Sequence, residues 1–284
     1  MSKLRVLDLF AGIGGFSLGL ERTGGFETVA FCEIEPYPQK VLAKHWPGVP
    51  IYDDVRELTA ERLASDGIGV DIITGGFPCQ DLSSSGHQKG FGGARSSLYT
   101  QMLRIAGELR PKFAIFENVT NLLAGNGGRW FSRFLNDLAA VGYDAEWHCI
   151  PASAIGAAHH RDRVWVIAYP NGTMLEGSIF FKSPVIDSQE SRRRQLTRAV
   201  GACLRADDYA RLRPDFDDVP AQMGELKAYG NAVVPQIPEL IGRAILDSIC
   251  PDCKGTGHVC CGGKAGYFEC CQSAVQCGCK AVGE

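Results

Sequence analysis

Short apolar runs alternate with segments of helical period along residues 1–170 of the chain. The runs Leu4–Phe10, Thr28–Glu33, Val70–Gly75, Phe113–Glu117, Asp144–Ile150 and Val164–Tyr169 each predict a strand. Periodic segments beginning near Phe16, Pro36, Glu57, Leu98 and Trp130 predict helices between them. Such alternation builds an α/β fold, here a doubly wound and mostly parallel sheet covered by helices. Residues 171–227 break the rhythm: they are polar, irregular and carry Arg192-Arg193-Arg194. Val234–Ile249 then reads as one amphipathic helix, and from Cys250 onward the chain is rich in cysteine and glycine. That last stretch has almost no room for a hydrophobic core.

Composition narrows the setting. The chain has 284 residues, 45% of them apolar and 21% charged, the balance of a soluble globular protein. It holds no uninterrupted apolar stretch of about 18 residues, so no membrane partner is expected. Met1-Ser2-Lys3-Leu4-Arg5 runs straight into a strand without a signal peptide's apolar centre, which predicts a cytoplasmic location. A net charge of −3 argues against a basic coat, so nucleic-acid contact would come from a local patch. Of the 12 cysteines, Cys32, Cys79, Cys149 and Cys203 are scattered and the rest crowd between 250 and 279. In a reducing compartment that crowding points to metal more than to disulfides.

The first strand–turn–helix unit reads Leu7-Asp8-Leu9-Phe10-Ala11-Gly12-Ile13-Gly14-Gly15. Gly12 and Gly14 permit a sharp turn and close approach of backbone to ligand, and Glu33 closes the second strand where an acid can bind ribose hydroxyls. The unit suits an adenosine-containing cofactor; a tight turn that binds nothing is the plain alternative. No Walker lysine is present, and Gly-x-Gly-Gly differs from the Gly-x-Gly-x-x-Gly spacing of NAD sites. A positively charged sulfonium cofactor would sit well near Asp8, and Asp54 could accept a hydrogen bond from an adenine amino group.

Cys79 stands between Pro78 and Gln80 at the head of a glycine- and serine-rich stretch ending near Gly93. A thiol is strongly nucleophilic once ionised, and Pro78 fixes the chain direction leading to it. Glycines beyond it supply hinges, while His87, Lys89 and Arg95 supply donors to phosphate, so the segment reads as a lid over a polyanion. The alternative is a surface loop with an incidental cysteine. The next parallel strand ends in Glu117-Asn118-Val119, which should bring Glu117 to the same sheet edge as Cys79 and the cofactor turn. Arg161 and Arg163 enter the following strand two residues apart and point the same way, suiting paired contacts to an anion or carbonyl.

Taken in order, Asp8–Gly15, Phe77-Pro78-Cys79-Gln80, Glu117-Asn118-Val119, Arg161-x-Arg163 and Gly230-Asn231-Ala232-Val233-Val234-Pro235 resemble the blocks of DNA (cytosine-5)-methyltransferases. Ser85-Gly86-x-Gln88-Lys89-Gly90-Phe91 is similar to that family's catalytic loop. The resemblance implies an S-adenosylmethionine-dependent enzyme that methylates C5 of a cytosine flipped out of double-stranded DNA, through a covalent adduct on Cys79. It implies Glu117 at ring N3, Arg163 at O2 and Arg161 positioning the base. Asp8, Phe10, Gly12, Gly14, Glu33, Asp54 and Asn231 would line the cofactor pocket with Leu98 nearby. Gln80, Ser83, Ser85, Lys89 and Arg95 would clasp DNA. Residues 1–170 become the catalytic and cofactor-binding domain, 171–227 a short target-recognition region, and 228–249 a segment returning to the catalytic domain.

The chain departs from the family in three places. His159 stands where glutamine is usual before Arg-x-Arg, the block expected around Arg213–Gly224 is hard to see, and residues 171–227 are short. Arg192, Arg193 and Arg194 would bind phosphates there, or form a solvated charge run. In the tail 250–284, Cys250-Pro251-Asp252-Cys253 is a C-x-x-C knuckle, followed by Cys260, Cys261, Cys270, Cys271, Cys277 and Cys279. These thiols predict structural zinc, the alternative being a disordered tail. The implied setting is bacterial or phage restriction–modification or DNA protection, with a cognate restriction endonuclease acting on the same site. A tRNA-methylating branch shares the same blocks and stays open.

Overall fold

Strand β1 (Leu4–Leu9) buries Val6 on one face and Leu7 and Leu9 on the other because it lies inside a sheet covered on both sides. The structure, a computed structural model, describes residues 2–77, 98–152, 162–173, 179 and 232–249. The other strands are β2 (Phe26–Cys32), β3 (Ile51–Tyr52), β4 (Ile72–Gly75), β5 (Phe113–Val119), β6 (Tyr143–Pro151) and β7 (Asp162–Pro170). They form one 7-stranded sheet in the order β3-β2-β1-β4-β5-β7-β6. Strands β1 to β5 pair in parallel, whereas β7 runs antiparallel between β5 and β6. The mixed α/β fold with a mostly parallel sheet is therefore as expected.

This reversal places the start of β7 at the edge where the parallel strands end. Val119 lies opposite Arg163 in the register, and Glu117 opposite Trp165.

Helices α1 (Gly15–Glu21), α2 (Pro36–His45), α3 (Ala60–Ser65), α4 (Leu98–Leu109), α5 (Asn121–Ala124), α6 (Arg129–Ala140) and α7 (Gln236–Ile249) connect or cover these strands. One core joins Leu7, Leu9, Ile73, Ala114 and Phe116 to Met102, Ile105 and Phe134 of α4 and α6. On the opposite face Val6, Ile72, Ile115 and Ile167 pack with Phe16 and Leu20 of α1 and Ile237, Ile241 and Ile245 of α7. Alternate strand residues feed the two layers, as pleating requires.

Several boundaries differ from expectation. Helix α3 starts at Ala60 instead of near Glu57, because Thr59 caps it by accepting the Arg62 N–H. Asp54 meanwhile holds Arg56 through backbone and side chain, and the Glu57 N–H donates to the Asp54 carbonyl, so a turn occupies the expected first residues. Helix α7 begins two residues after Val234, since Val234 and Pro235 carbonyls accept the N–H groups of Ile237 and Glu239. Short α5 has no counterpart in the sequence reading.

Chain return is tight. A Cβ on Gly15 would lie 2.4 Å from the Val233 carbonyl oxygen, and one on Gly19 would lie 2.1 Å from that of Pro235. Both glycines, four apart on one face of α1, let the returning backbone lie directly on the helix. Ala232 is thereby buried with Ile13 and Val41.

Candidate active site

The turn after β1 contains three left-handed positions, Phe10 (φ 52°), Gly12 (φ 54°) and Gly14 (φ 87°). At Gly14 the lack of a side chain is required twice over, since a Cβ there would meet the Trp46 ring at 2.5 Å. Gly12 is different: a Cβ would meet nothing within 4 Å, so the turn faces open space at that point. Glu33 pins the turn, accepting the Gly12 N–H on Oε2 (2.7 Å) and the Glu35 N–H on Oε1 (2.8 Å). Burial raises the Glu33 carboxyl above its ordinary value, opposed by these backbone hydrogen bonds.

Beside it, Ile34 is 59% exposed, a large apolar residue set between Glu33 and Glu35. Gly12, Glu33 and Ile34 together offer backbone, carboxylate and an apolar surface, a donor set that fits a nucleoside. Ile34 escaped the sequence reading; its signal was an apolar residue between two acids just past a strand's end.

Asp54 keeps its carboxylate on Arg56, whose guanidinium holds it below the usual range. Arg104 of α4 braces the following turn by donating to the carbonyls of Val55 (3.0 Å) and Leu58 (2.8 Å). Leu98 opens α4 and packs on the core containing Leu9 and Phe77.

Asp8 is fully buried, one layer below the turn. Its oxygens accept the hydroxyls of Thr74 (2.7 Å) and Ser17 (2.8 Å), joining β1, β4 and α1. Loss of water pushes its carboxyl up to about 7, with the two hydroxyl donors and Glu33 as lesser influences. Thr74 and Ser17 were not anticipated as its partners.

At the end of β5, Glu117 Oε1 lies 2.8 Å from Arg163 Nε. The pair is diagonal across the antiparallel ladder, on one face of the sheet. The Glu117 carboxylate also borders Gly76, where a Cβ would stand 3.0 Å from Oε2. The chain therefore passes this carboxylate just before reaching Pro78 and Cys79. Asn118, pointing to the other face, donates Nδ2 to the Phe77 carbonyl at 3.1 Å.

Two cysteines are described. Cys32 is buried and its thiol is pushed up to about 12, while burial also raises that of Cys149. Neither has the environment of an activated thiolate. Among the described residues no group of three His, Cys, Asp or Glu side chains could hold a metal ion.

The structure thus brings Gly12, Gly14, Glu33, Glu117 and Arg163 to the ends of adjacent strands along one sheet edge. Cys79, Gln80, Ser83, Ser85, Lys89, Arg95, Arg161, Arg192, Arg193, Arg194 and Asn231 lie outside the described residues, as do all eight tail cysteines.

The sequence profile of C-5 cytosine-specific DNA methylases matches residues 4–211. The chain belongs to this family. It is similar to the type II methyltransferase M2.BsuMI of Bacillus subtilis, 36% identical over 169 residues covering 58% of this chain and 42% of that protein. Similarity extends to the orphan methyltransferase M.SPRI of Bacillus phage SPR, 34% identical over 170 residues covering 59% and 37% of the two chains. Among solved structures, a prophage-encoded protein of E. coli assigned as a DNA modification methyltransferase superposes with a TM-score of 0.54 at 29% identity, covering 64% of this chain and 50% of that one. The matched region amounts to less than half the length of these two curated relatives. No helix among the described residues is long and apolar enough to cross a membrane.

Proposed function

We propose that the protein transfers a methyl group from S-adenosylmethionine to C5 of cytosine in double-stranded DNA. The observation that carries this reading is the Glu117–Arg163 pair, 2.8 Å apart, beside the strand that leads to Cys79. Cytosine presents N3 and O2 as neighbours on one edge. A carboxyl and a guanidinium held side by side match that edge, with Glu117 at N3 and Arg163 donating to O2.

Cytosine's C6 is a poor electrophile until charge on the ring is relieved. A proton shared between Glu117 and N3, with a donor at O2, draws electrons toward that edge and opens C6 to the Cys79 thiolate. Bond formation between sulfur and C6 makes C5 nucleophilic. The cofactor supplies an electrophilic methyl group on a sulfonium. Once C5 had taken the methyl, leaving the cofactor as a neutral thioether, loss of the C5 proton, expulsion of the thiolate and return of the N3 proton to Glu117 would restore the ring. These atoms are stacked within a duplex, so the base must be flipped out for the chemistry to proceed.

For cofactor binding, Glu33 would accept ribose hydroxyls, Gly12 would allow close approach, and Ile34 would lie against the adenine ring. Asp8, Phe10, Gly14, Asp54, Leu98 and Asn231 would complete or support that pocket. Asp8 would act from beneath, through Thr74 and Ser17. Arg161 would orient the base, and Gln80, Ser83, Ser85, Lys89, Arg95 and the Arg192–Arg194 run would contact DNA. The setting would be bacterial or phage DNA modification in the cytoplasm, with a restriction endonuclease of the same specificity as the natural counterpart.

Bisulfite sequencing of DNA from cells expressing the full chain tests the reading. Protected cytosines in a fixed sequence context are expected, and they should vanish with Cys79→Ala. Uniform conversion of all cytosines, or methyl transfer to tRNA in place of duplex DNA, would overturn it. The tail cysteines are proposed to hold zinc, which predicts that metal analysis of the full chain finds zinc and that a chain ending at Ile249 has lost it.

A further inference from the structure

Trp46 closes α2, and its indole reaches both ends of α1. On one edge the ring N–H donates to Oε2 of Glu21, the last residue of α1, at 2.9 Å. The opposite, six-membered edge lies on Gly14, which caps the start of α1, so closely that a Cβ there would meet it at 2.5 Å. Phe31, fully buried in β2, stands edge-on to the indole, with centroids 5.3 Å apart and planes at 66°. Glu21 is itself fixed, since its other oxygen accepts the Thr28 N–H of β2 at 2.9 Å. An indole is flat and rigid, so holding its N–H and one face settles where its far edge stands.

That edge supports a turn which the chain would not adopt unaided. Phe10, Gly12 and Gly14 are all left-handed, and the side chain of Phe10 disfavours that conformation. Such a turn persists only where its surroundings hold it. Glu33 holds it at Gly12, through the N–H that Oε2 accepts at 2.7 Å. Behind it stand Trp46 and Leu42, whose side chains are the nearest atoms to the space beside Gly14. The turn is thus gripped from the end of β2 at one position and backed by an aromatic wall two residues on.

We infer that Trp46, anchored by Glu21, is a positioning residue for the cofactor: its indole keeps the glycine turn in the shape that receives S-adenosylmethionine. The inference rests on the methyltransferase reading above. Its physical content is preorganisation. A turn that holds its binding shape only one-tenth of the time binds about tenfold more weakly, because the ligand must supply the ordering. Once bound, the cofactor holds the turn itself, and the Glu117–Arg163 pair on β5 and β7 is untouched. Loss of the wall should therefore weaken binding and spare the chemical step. Phenylalanine cannot replace the indole, because a single ring has no N–H for Glu21 and reaches less far toward Gly14.

The test uses the full chain carrying Trp46→Phe. Affinity for S-adenosylmethionine is measured by calorimetry, beside melting temperature and single-turnover methyl transfer to long duplex DNA at saturating cofactor. W46F is expected to bind the cofactor about tenfold more weakly, with the saturating rate within roughly twofold of wild type. Leu138→Ala, a buried truncation in α6, calibrates the effect of lost stability alone. Wild-type affinity in W46F would overturn the inference. So would an affinity loss no greater than that of L138A for the same fall in melting temperature, or a saturating rate that drops as far as affinity. If W46F is too unstable to assay, Glu21→Ala, which frees the indole N–H without altering the ring, is judged by the same comparison. A wild-type protein that binds no S-adenosylmethionine, or transfers no methyl group to DNA, would instead remove the methyltransferase reading on which the inference stands.

Discussion

Gly19 and the Pro235 carbonyl meet so closely that a Cβ on the glycine would lie 2.1 Å from the oxygen. Since that neighbour is backbone, relief requires α1 and the returning segment to separate. Gly19→Ala is expected to destabilise the protein by about 1–3 kcal/mol or more, read as a lower urea midpoint with unchanged slope.

Gly12→Ala makes the opposite case. Its Cβ would enter open space, so the stability change is limited to the left-handed backbone, roughly 1–2 kcal/mol. In the proposed pocket the added carbon would stand where the cofactor approaches, so binding of S-adenosylmethionine should suffer more, by about tenfold or greater in calorimetry.

Glu117→Gln removes the exchangeable proton but keeps the size of the side chain beside Arg163. Single-turnover methyl transfer should fall by about 10²–10⁴-fold, while DNA affinity in a filter-binding assay changes far less. Equal losses in both would show that the residue serves binding alone.

Asp8 predicts a pH signature. Its carboxyl in the fold titrates at about 7, against roughly 3.9 in an unfolded chain. Between those values the folded state binds more protons, so stability is greatest below the unfolded value and falls as pH rises toward the folded one. Melting temperature should decline between about pH 5 and pH 8, and Asp8→Asn should flatten much of that slope. Glu33, raised in the same direction by burial, should leave a residual dependence.

The strand and helix pattern was largely readable, because buried parallel strands are continuous apolar runs and the covering helices show their stripe. Six expected strands recur within two residues at each end. What escaped depends on long-range pairing. Nothing in the local text around Val164 announces that β7 inserts antiparallel between β5 and β6, yet this reversal delivers Arg163 to Glu117. Glu33 and Gly12 were legible as a pair, since a glycine turn and an acid at the next strand's end have a known geometric relation. Asp8 was read by its charge, but its bonds to Thr74 and Ser17 follow from a register that the sequence does not print. The α3 start was missed although its capping threonine stood in plain view at Thr59.

Phe77 and Tyr99, the rings that flank segment 78–97 in the chain, lie 5.9 Å apart in one aromatic cluster. Both ends of the span therefore rest on the same cluster, and the described sheet is built from residues on either side of it. A change of length or charge between these two rings therefore leaves the packing of the described strands as it is.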